Sequence, residues 1–289
     1  MAFLHFPSAR KLAYDIFGDT SLRRPVFYFH GTPGSRQEAI LGADIAKELG
    51  ISLIAFDRPG IGDSTFDPKR DILDVTHDVV SLADHLGLKR FGILGVSGGG
   101  PYAAACAHTL KDRIIHVALV SSLAPFDVCG SNALLRVAQS MQFLGTRSKT
   151  LGRVLTHMLT SRVGSSAREF FLKKLRKKSP QSDPLLLNQP HILELLERNY
   201  NLVKRRQDGF AHEVNLLVNP WGFALESIEV PVDIWHGTAD QTVPLSMAKY
   251  LARTIPQSKS HFIPEHGHFI IIDHLKQILQ SLALATHLH

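Results

Sequence analysis

Arg90-Phe-Gly-Ile-Leu-Gly-Val-Ser97-Gly-Gly-Gly-Pro101-Tyr-Ala-Ala-Ala-Cys-Ala107 is an apolar run, a serine set among glycines, and a second apolar run. The first run has the length and content of a buried strand; the second, opened by a proline that needs no N–H partner in a first helical turn, reads as a helix. From Phe91 to Leu110 there is no Asp, Glu, Lys or Arg, a length that would cross a bilayer as one helix. The glycines and Pro101 interrupt any such helix, and a buried strand followed by a buried helix explains the same lack of charge. At the junction, Gly95-Val96-Ser97-Gly98-Gly99 is a G-x-S-x-G sequence. Small residues beside the serine let the backbone turn sharply against its neighbours and present the hydroxyl at a helix start, where free N–H groups favour developing negative charge. A phosphate cradle would need a Walker lysine or a second glycine fingerprint, and neither is present.

Working outward, short runs rich in β-branched and aromatic residues alternate with helical stretches, which implies parallel strands joined by crossover helices. The predicted central strands are Val26–His30, Ile51–Asp57, Arg90–Val96, Ile115–Ser121, Val232–His236 and Ser260–Ile263. Phe3–Phe6 and Leu12–Phe17 alternate weakly around Pro7-Ser8 and suit an antiparallel edge hairpin. Helices are expected over Ser35–Leu49, Asp74–Leu86, Pro101–Leu110, Pro244–Ile255 and from His268 to the end, with Gly50 and Gly87 as helix stops. The rhythm breaks from Pro125 to Glu229, where amphipathic stretches such as Ala133–Phe143 and Ile192–Val203 follow one another without a strand. The expected organisation is therefore an α/β core of residues 1–124 and 230–289, with helices on both faces of a mostly parallel sheet. Residues 125–229 are expected to form a helical cap inserted into it.

A chain of 289 residues with 44% hydrophobic and 20% charged residues is an ordinary globular composition, which excludes disordered and collagen-like classes. The net charge of +6 is unevenly placed. Residues 127–229 hold fifteen Lys and Arg against nine Asp and Glu, and elsewhere the two signs balance. The densest run, Lys173-Lys-Leu-Arg-Lys-Lys178, is read as a solvated helix face, with contact to an anionic substrate, membrane surface or partner as the lesser alternative. No nucleic-acid role is expected, and the sequence leaves the oligomeric state open. The N-terminus lacks a basic segment followed by an apolar core and cleavage site, so the expected location is cytoplasmic. Cys106 and Cys129 form no C-x-x-C pair and are read as buried thiols.

A serine hydroxyl needs a base to take its proton and a third group to hold that base in one tautomer. After the last two predicted strands the chain offers His236-Gly-Thr-Ala-Asp240 and Glu265-His-Gly-His268-Phe269, and strand ends are where functional groups gather in open α/β sheets. Two further motifs follow earlier strands: His30-Gly31-Thr32-Pro33-Gly34, and Asp57-Arg-Pro-Gly60-Ile-Gly62-Asp-Ser64. His266 and His268 form an H-x-H pair, but without the companions of a zinc motif no metal is expected.

Taken together, from Val26 to Phe269, these motifs resemble those of capped α/β-hydrolase fold serine hydrolases, the branch that holds esterases and proline iminopeptidases. The resemblance implies Ser97 as nucleophile, His268 as base and Asp240 as the acid that orients it, with Asp127 as reserve acid. It implies that the backbone amides of Thr32 and Gly98 form the oxyanion hole. By the same pattern His268 is preferred over His266, which is read as a loop residue; His30 and His236 shape their loops, and Asp57, Arg58 and Asp63 fix their turn through local bonds. Gly98 departs from the bulkier residue common in the family, which predicts an open pocket wall. A serine nucleophile argues against dehalogenase and epoxide hydrolase chemistry, which need a carboxylate.

The expected activity is hydrolysis of a small or medium ester-like substrate through an acyl-enzyme, with no cofactor. Leu134, Leu135, Met141, Phe143, Leu144, Met158 and Phe171 are candidates for an acyl pocket in the cap. The alternatives are a proline iminopeptidase-like peptidase, for which Glu194, Glu197 and Glu213 are available to a free amine, a lactone or carbon–carbon bond hydrolase, and a non-catalytic binding protein on the same fold.

Overall fold

The apolar runs pair into one sheet. In the computed structural model, which describes residues 1–126, Asp183 and residues 189–286, the strands are β1 (Ala2–His5), β2 (Lys11–Gly18), β3 (Pro25–Phe29), β4 (Ser52–Phe56), β5 (Phe91–Val96), β6 (Ile114–Val120), β7 (Val232–Gly237) and β8 (Ser258–Ile263). Their order is β1-β2-β4-β3-β5-β6-β7-β8. The hairpin β1–β2 is antiparallel and joins β4 antiparallel; every pairing from β4 to β8 is parallel. All six predicted central strands and the edge hairpin are present.

Successive side chains of a strand point to opposite faces, and the core divides accordingly. Phe27, Phe29, Ile54, Phe56, Ile93, Val117, Leu119 and Ile234 lie on one face, under α2 (Val75–His85), α3 (Gly100–Thr109) and α6 (Leu245–Thr254). Val26, Tyr28, Leu53, Ala55, Leu94, Val96, Ala118 and Val120 lie on the other, under α1 (Ala43–Glu48) and α7 (Ile270–Thr286). Strands buried on both faces explain the uninterrupted apolar runs of the sequence.

The helix expected over Ser35–Leu49 is instead a 3₁₀ turn, Arg36–Gly42, followed by the short α1. Within the span 125–229 the described elements are two helices, Pro190–Arg205 (α4) and Gln207–Val218 (α5), and a short 3₁₀ turn. Asp127, Cys129, the Ala133–Phe143 stretch, the seven acyl-pocket candidates and the basic run 173–178 lie outside the described residues. Among the described residues no helix is long and apolar enough to cross a membrane.

Both helix stops take the same form. Gly50 and Gly87 sit at φ 65° and 69°, and the next residue closes a six-to-one bond, Ile51 N–H to Ala46 O and Leu88 N–H to Ala83 O, both 2.8 Å. At Gly87 an added Cβ would find no atom within 4 Å. Gly87→Ala therefore carries the backbone cost of the left-handed region alone, about 1–2 kcal/mol. Calorimetry should show a lower Tm for it, and a smaller drop for Gly87→Asn, whose side chain tolerates that conformation.

Candidate active site

The turn after β5 is where local sequence and site meet. Ser97 stands at φ 52°, a left-handed conformation that a residue with a Cβ adopts only under constraint. A three-residue 3₁₀ turn then leads into α3. Asp240 follows β7, and His268 lies between β8 and α7. The sheet brings the three together: Ser97 Oγ–H donates to His268 Nε2 at 3.0 Å, and His268 Nδ1–H donates to Asp240 Oδ2 at 2.8 Å. The other Asp240 oxygen accepts the amides of Thr242 and Val243 at 2.7 and 2.8 Å. The carboxylate is thus fixed from both sides.

The backbone of His268 is held as well. Its N–H donates to Asp183 Oδ2 at 3.1 Å, and its carbonyl accepts Ser121 Oγ–H at 2.9 Å. Burial works to lower the basicity of the imidazole, but the charge and hydrogen bond of Asp240, with Asp183 and Glu38 nearby, hold its pKa above the ordinary 6.5. Burial works to raise Asp240, and the charge and hydrogen bond of His268 outweigh it, so this carboxyl stays below its ordinary value. The arrangement favours a base that accepts a proton from Ser97 and a partner that remains anionic while it does.

The loop after β3 lies against this turn. A Cβ on Gly31 would sit 3.7 Å from that of Ser97, and a Cβ on Gly98 would come 2.5 Å from Thr32 Oγ1 and 3.2 Å from Thr32 N. The open wall expected at Gly98 is therefore not there: the Thr32 side chain occupies the space that a larger residue 98 would take. Glu38 sits beside the same loop. Its Oε2 accepts the Gly31 N–H at 2.8 Å and its Oε1 accepts Asn199 Nδ2–H at 3.2 Å. Burial raises its carboxyl to about 7 against the opposing pull of Gly31, Arg58 and Asn199.

Two sequence expectations need correcting. Asp57 does fix its own turn, accepting the Arg36 and Asp63 amides at 2.9 and 3.0 Å and pairing with the Arg36 guanidinium. Arg58 does not act locally. It turns inward, 0% exposed, and pairs through Nη2 with Glu213, 155 residues away on α5, while its Nε–H reaches both Glu213 oxygens at 3.1 Å. Glu213, read from the sequence as available to a substrate amine, is 1% exposed and occupied by Arg58, Arg70 (3.1 Å) and the Thr32 hydroxyl (2.7 Å). Burial pushes its carboxyl up, and the two guanidiniums bring it down to about 2. The signal for it was present: Phe210, Glu213, Val214 and Leu217 share one helical face, and an acid on an apolar stripe must find a cation. Asn199 carries the same signal beside Ile192 and Leu195 on α4, and its Oδ1 accepts Ser35 Oγ–H at 3.0 Å.

His30, His236 and His266 sit as loop-shaping groups. His30 is 0% exposed beside Gly31, His236 Nε2 lies 3.0 Å from Val243 O, and the ring of His266 bonds its own turn at Pro264 O, 2.8 Å. Cys106 is a buried free thiol, raised by burial. Among the described residues no group of three or more His, Cys, Asp or Glu is placed to hold a metal ion.

A mostly parallel sheet of this order with helices on both faces is the fold of a class of hydrolases. The model of the alpha/beta hydrolase fold matches residues 24–275, and the chain belongs to that family. It is similar to a proline iminopeptidase of Clostridium botulinum, 24% identical over 280 residues, 94% of this chain and 93% of that one. Among solved structures it resembles a thermophilic esterase from Thermogutta terrifontis, with a TM-score of 0.69, 20% identity and coverage of 99% and 98%. It also resembles an enol-lactonase from Burkholderia xenovorans, with a TM-score of 0.71, 17% identity and coverage of 97% and 99%.

Because Glu213 is one half of a buried ion pair, Glu213→Gln leaves Arg58 without its counter-charge. Its unfolding free energy should fall by about 3–5 kcal/mol, measured by urea titration.

Proposed function

We propose that this hydrolase cleaves carboxylic esters through an acyl-enzyme, with Ser97 as nucleophile, His268 as general base and Asp240 as its orienting acid. The observation that carries the reading is the unbroken line from Ser97 Oγ to His268 Nε2 and from His268 Nδ1 to Asp240, at 3.0 and 2.8 Å. His268 takes the Ser97 proton as Oγ attacks the carbonyl carbon. The oxyanion that forms is stabilised by the Thr32 and Gly98 amides, each such donor contributing ~3 kcal/mol. Collapse of the tetrahedral intermediate expels the alcohol, which takes the proton back from His268. Water then attacks the acyl-enzyme by the same route, with His268 again as base, and frees the acid. Residues 125–229, which include α4 and α5, serve as a cap over the site.

A second reading, a proline iminopeptidase-like peptidase, draws on the Clostridium relative and on the half-buried Glu38 carboxyl beside the serine turn. It draws nothing from Glu213, whose charge Arg58 and Arg70 already neutralise. Hydrolysis of 4-nitrophenyl acetate compared with that of proline 4-nitroanilide separates the two; faster turnover of the anilide would replace the ester reading.

Ser97→Ala should lower ester hydrolysis to the uncatalysed background with an unchanged circular dichroism spectrum. Full activity in that variant would remove Ser97 from the reaction. The base must be neutral to accept the proton, and its folded pKa lies above 6.5. So kcat/KM should be present at high pH and lost as pH falls through a value above 6.5, which a pH–rate profile reads directly.

A further inference from the structure

The structure assigns Arg58 as a positioning residue that aims the Thr32 amide at the reacting carbonyl oxygen, with Glu213 fixing the guanidinium from behind. The inference rests on the reading of the Thr32 amide as an oxyanion donor and deepens it. Two successive carbonyls of the loop turn to the same guanidinium: Arg58 Nη1–H donates to His30 O at 2.6 Å and Nη2–H donates to Gly31 O at 3.1 Å. In a trans peptide the C=O and the following N–H point in opposite directions. Holding both oxygens toward Arg58 therefore turns the Gly31 and Thr32 N–H groups to the opposite side, the concave arrangement of successive amides that binds anions. The first of these amides already shows it, since Gly31 N–H donates to the Glu38 carboxylate at 2.8 Å. The second, Thr32 N, lies 3.2 Å from where a Cβ on Gly98 would stand, beside the nucleophile.

His30 completes the clamp. Its Nδ1 lies 2.9 Å from Gly31 O and its Nε2 lies 3.4 Å from the Arg58 backbone N. Burial, with the Arg58 charge, lowers this ring to about 3, so it is neutral, and one tautomer satisfies both bonds: Nδ1–H gives to Gly31 and Nε2 accepts from Arg58. Gly31 O thus receives two donors. On the far side, Glu213 takes Arg58 Nε–H and Nη2–H and the Thr32 hydroxyl proton, while Thr32 Oγ1 accepts from Arg58 Nη2 at 3.2 Å. The helix that brings Glu213 can do so because Gly209 lets it pack directly on the backbone of Gly60, two residues beyond Arg58. A helix of the 125–229 span and a strand-end turn therefore jointly set the direction of one amide.

The test uses the intact chain, 4-nitrophenyl acetate as substrate and phenylboronic acid as a tetrahedral adduct former. Arg58→Lys keeps the charge against Glu213 and loses the fork that reaches two carbonyls. It should lower kcat by about tenfold to a hundredfold, short of the 10²–10³-fold cost of deleting a donor outright. KM should change less than about twofold, and phenylboronic acid should weaken in proportion to kcat/KM. His30→Phe keeps a ring and loses the donor, whereas His30→Asn restores an N–H near the Nδ1 position in a smaller side chain. The assignment expects the asparagine variant to be the more active of the two even where it melts lower. It is overturned if Arg58→Lys keeps its kcat and boronate affinity, or if activity across the three variants simply follows Tm. If Arg58→Lys does not fold, the order of the two His30 variants decides. Loss of activity in Ser97→Ala with Arg58→Lys unimpaired sinks this inference alone; retained activity in Ser97→Ala sinks the ester reading beneath it.

Discussion

A guanidinium removed from water is tolerated in a protein only where its N–H groups meet acceptors and its charge meets a counter-charge. Arg58 satisfies both conditions with residues from two distant parts of the chain: the carbonyls of His30 and Gly31, the hydroxyl of Thr32 and the carboxylate of Glu213. The ring of Tyr102 lies 4.7 Å from the guanidinium carbon, a further favourable contact for a buried cation. Such a group specifies geometry more than it stabilises. Another path for the loop after β3 would leave guanidinium N–H groups in the interior without acceptors, a cost that favours the observed conformation next to Ser97.

The same cluster explains how one residue type fills two electrical roles a few residues from the same turn. His30 lies beside Arg58 and stays neutral; His268 lies beside Asp240, Asp183 and Glu38 and is made more basic. Burial lowers the basicity of both rings; at His30 the Arg58 charge adds to it, and at His268 the Asp240 charge and hydrogen bond outweigh it. The positive cluster stands behind the loop and the carboxylates stand around the imidazole. This separation of charge runs across the ends of the strands, where the sheet opens.

What could be read in advance follows how far each residue's partners lie along the chain. Strands, helix stops and the serine turn depend on neighbours within a few positions: Val96 precedes, Gly98 follows, and the apolar runs announce themselves. Asp240 and His268 each sit just past a recognisable strand, but His266 and Asp127 do too, and only the resemblance to a family singled out the first two. Arg58 and Glu213 were not readable as partners, since 155 residues separate them and a charged residue in a glycine-rich turn looks the same whether it faces water or the core. The Gly98 wall misled for a related reason. A missing side chain was visible, but the Thr32 side chain that fills its place comes from another strand end. The apolar stripe around Glu213 was the readable hint of a long-range partner.

One face of the sheet is closed by α7, whose Ile270, Leu275, Ile278, Leu279 and Leu282 cover Val26, Tyr28, Leu94, Val96, Ala118 and Val120. His268 stands two residues before that helix. During synthesis the imidazole and the hydrophobic cover for strands made far earlier thus emerge together. Until they do, α1 is the helix that covers that face of those strands, and the Ser97 hydroxyl has no imidazole to meet.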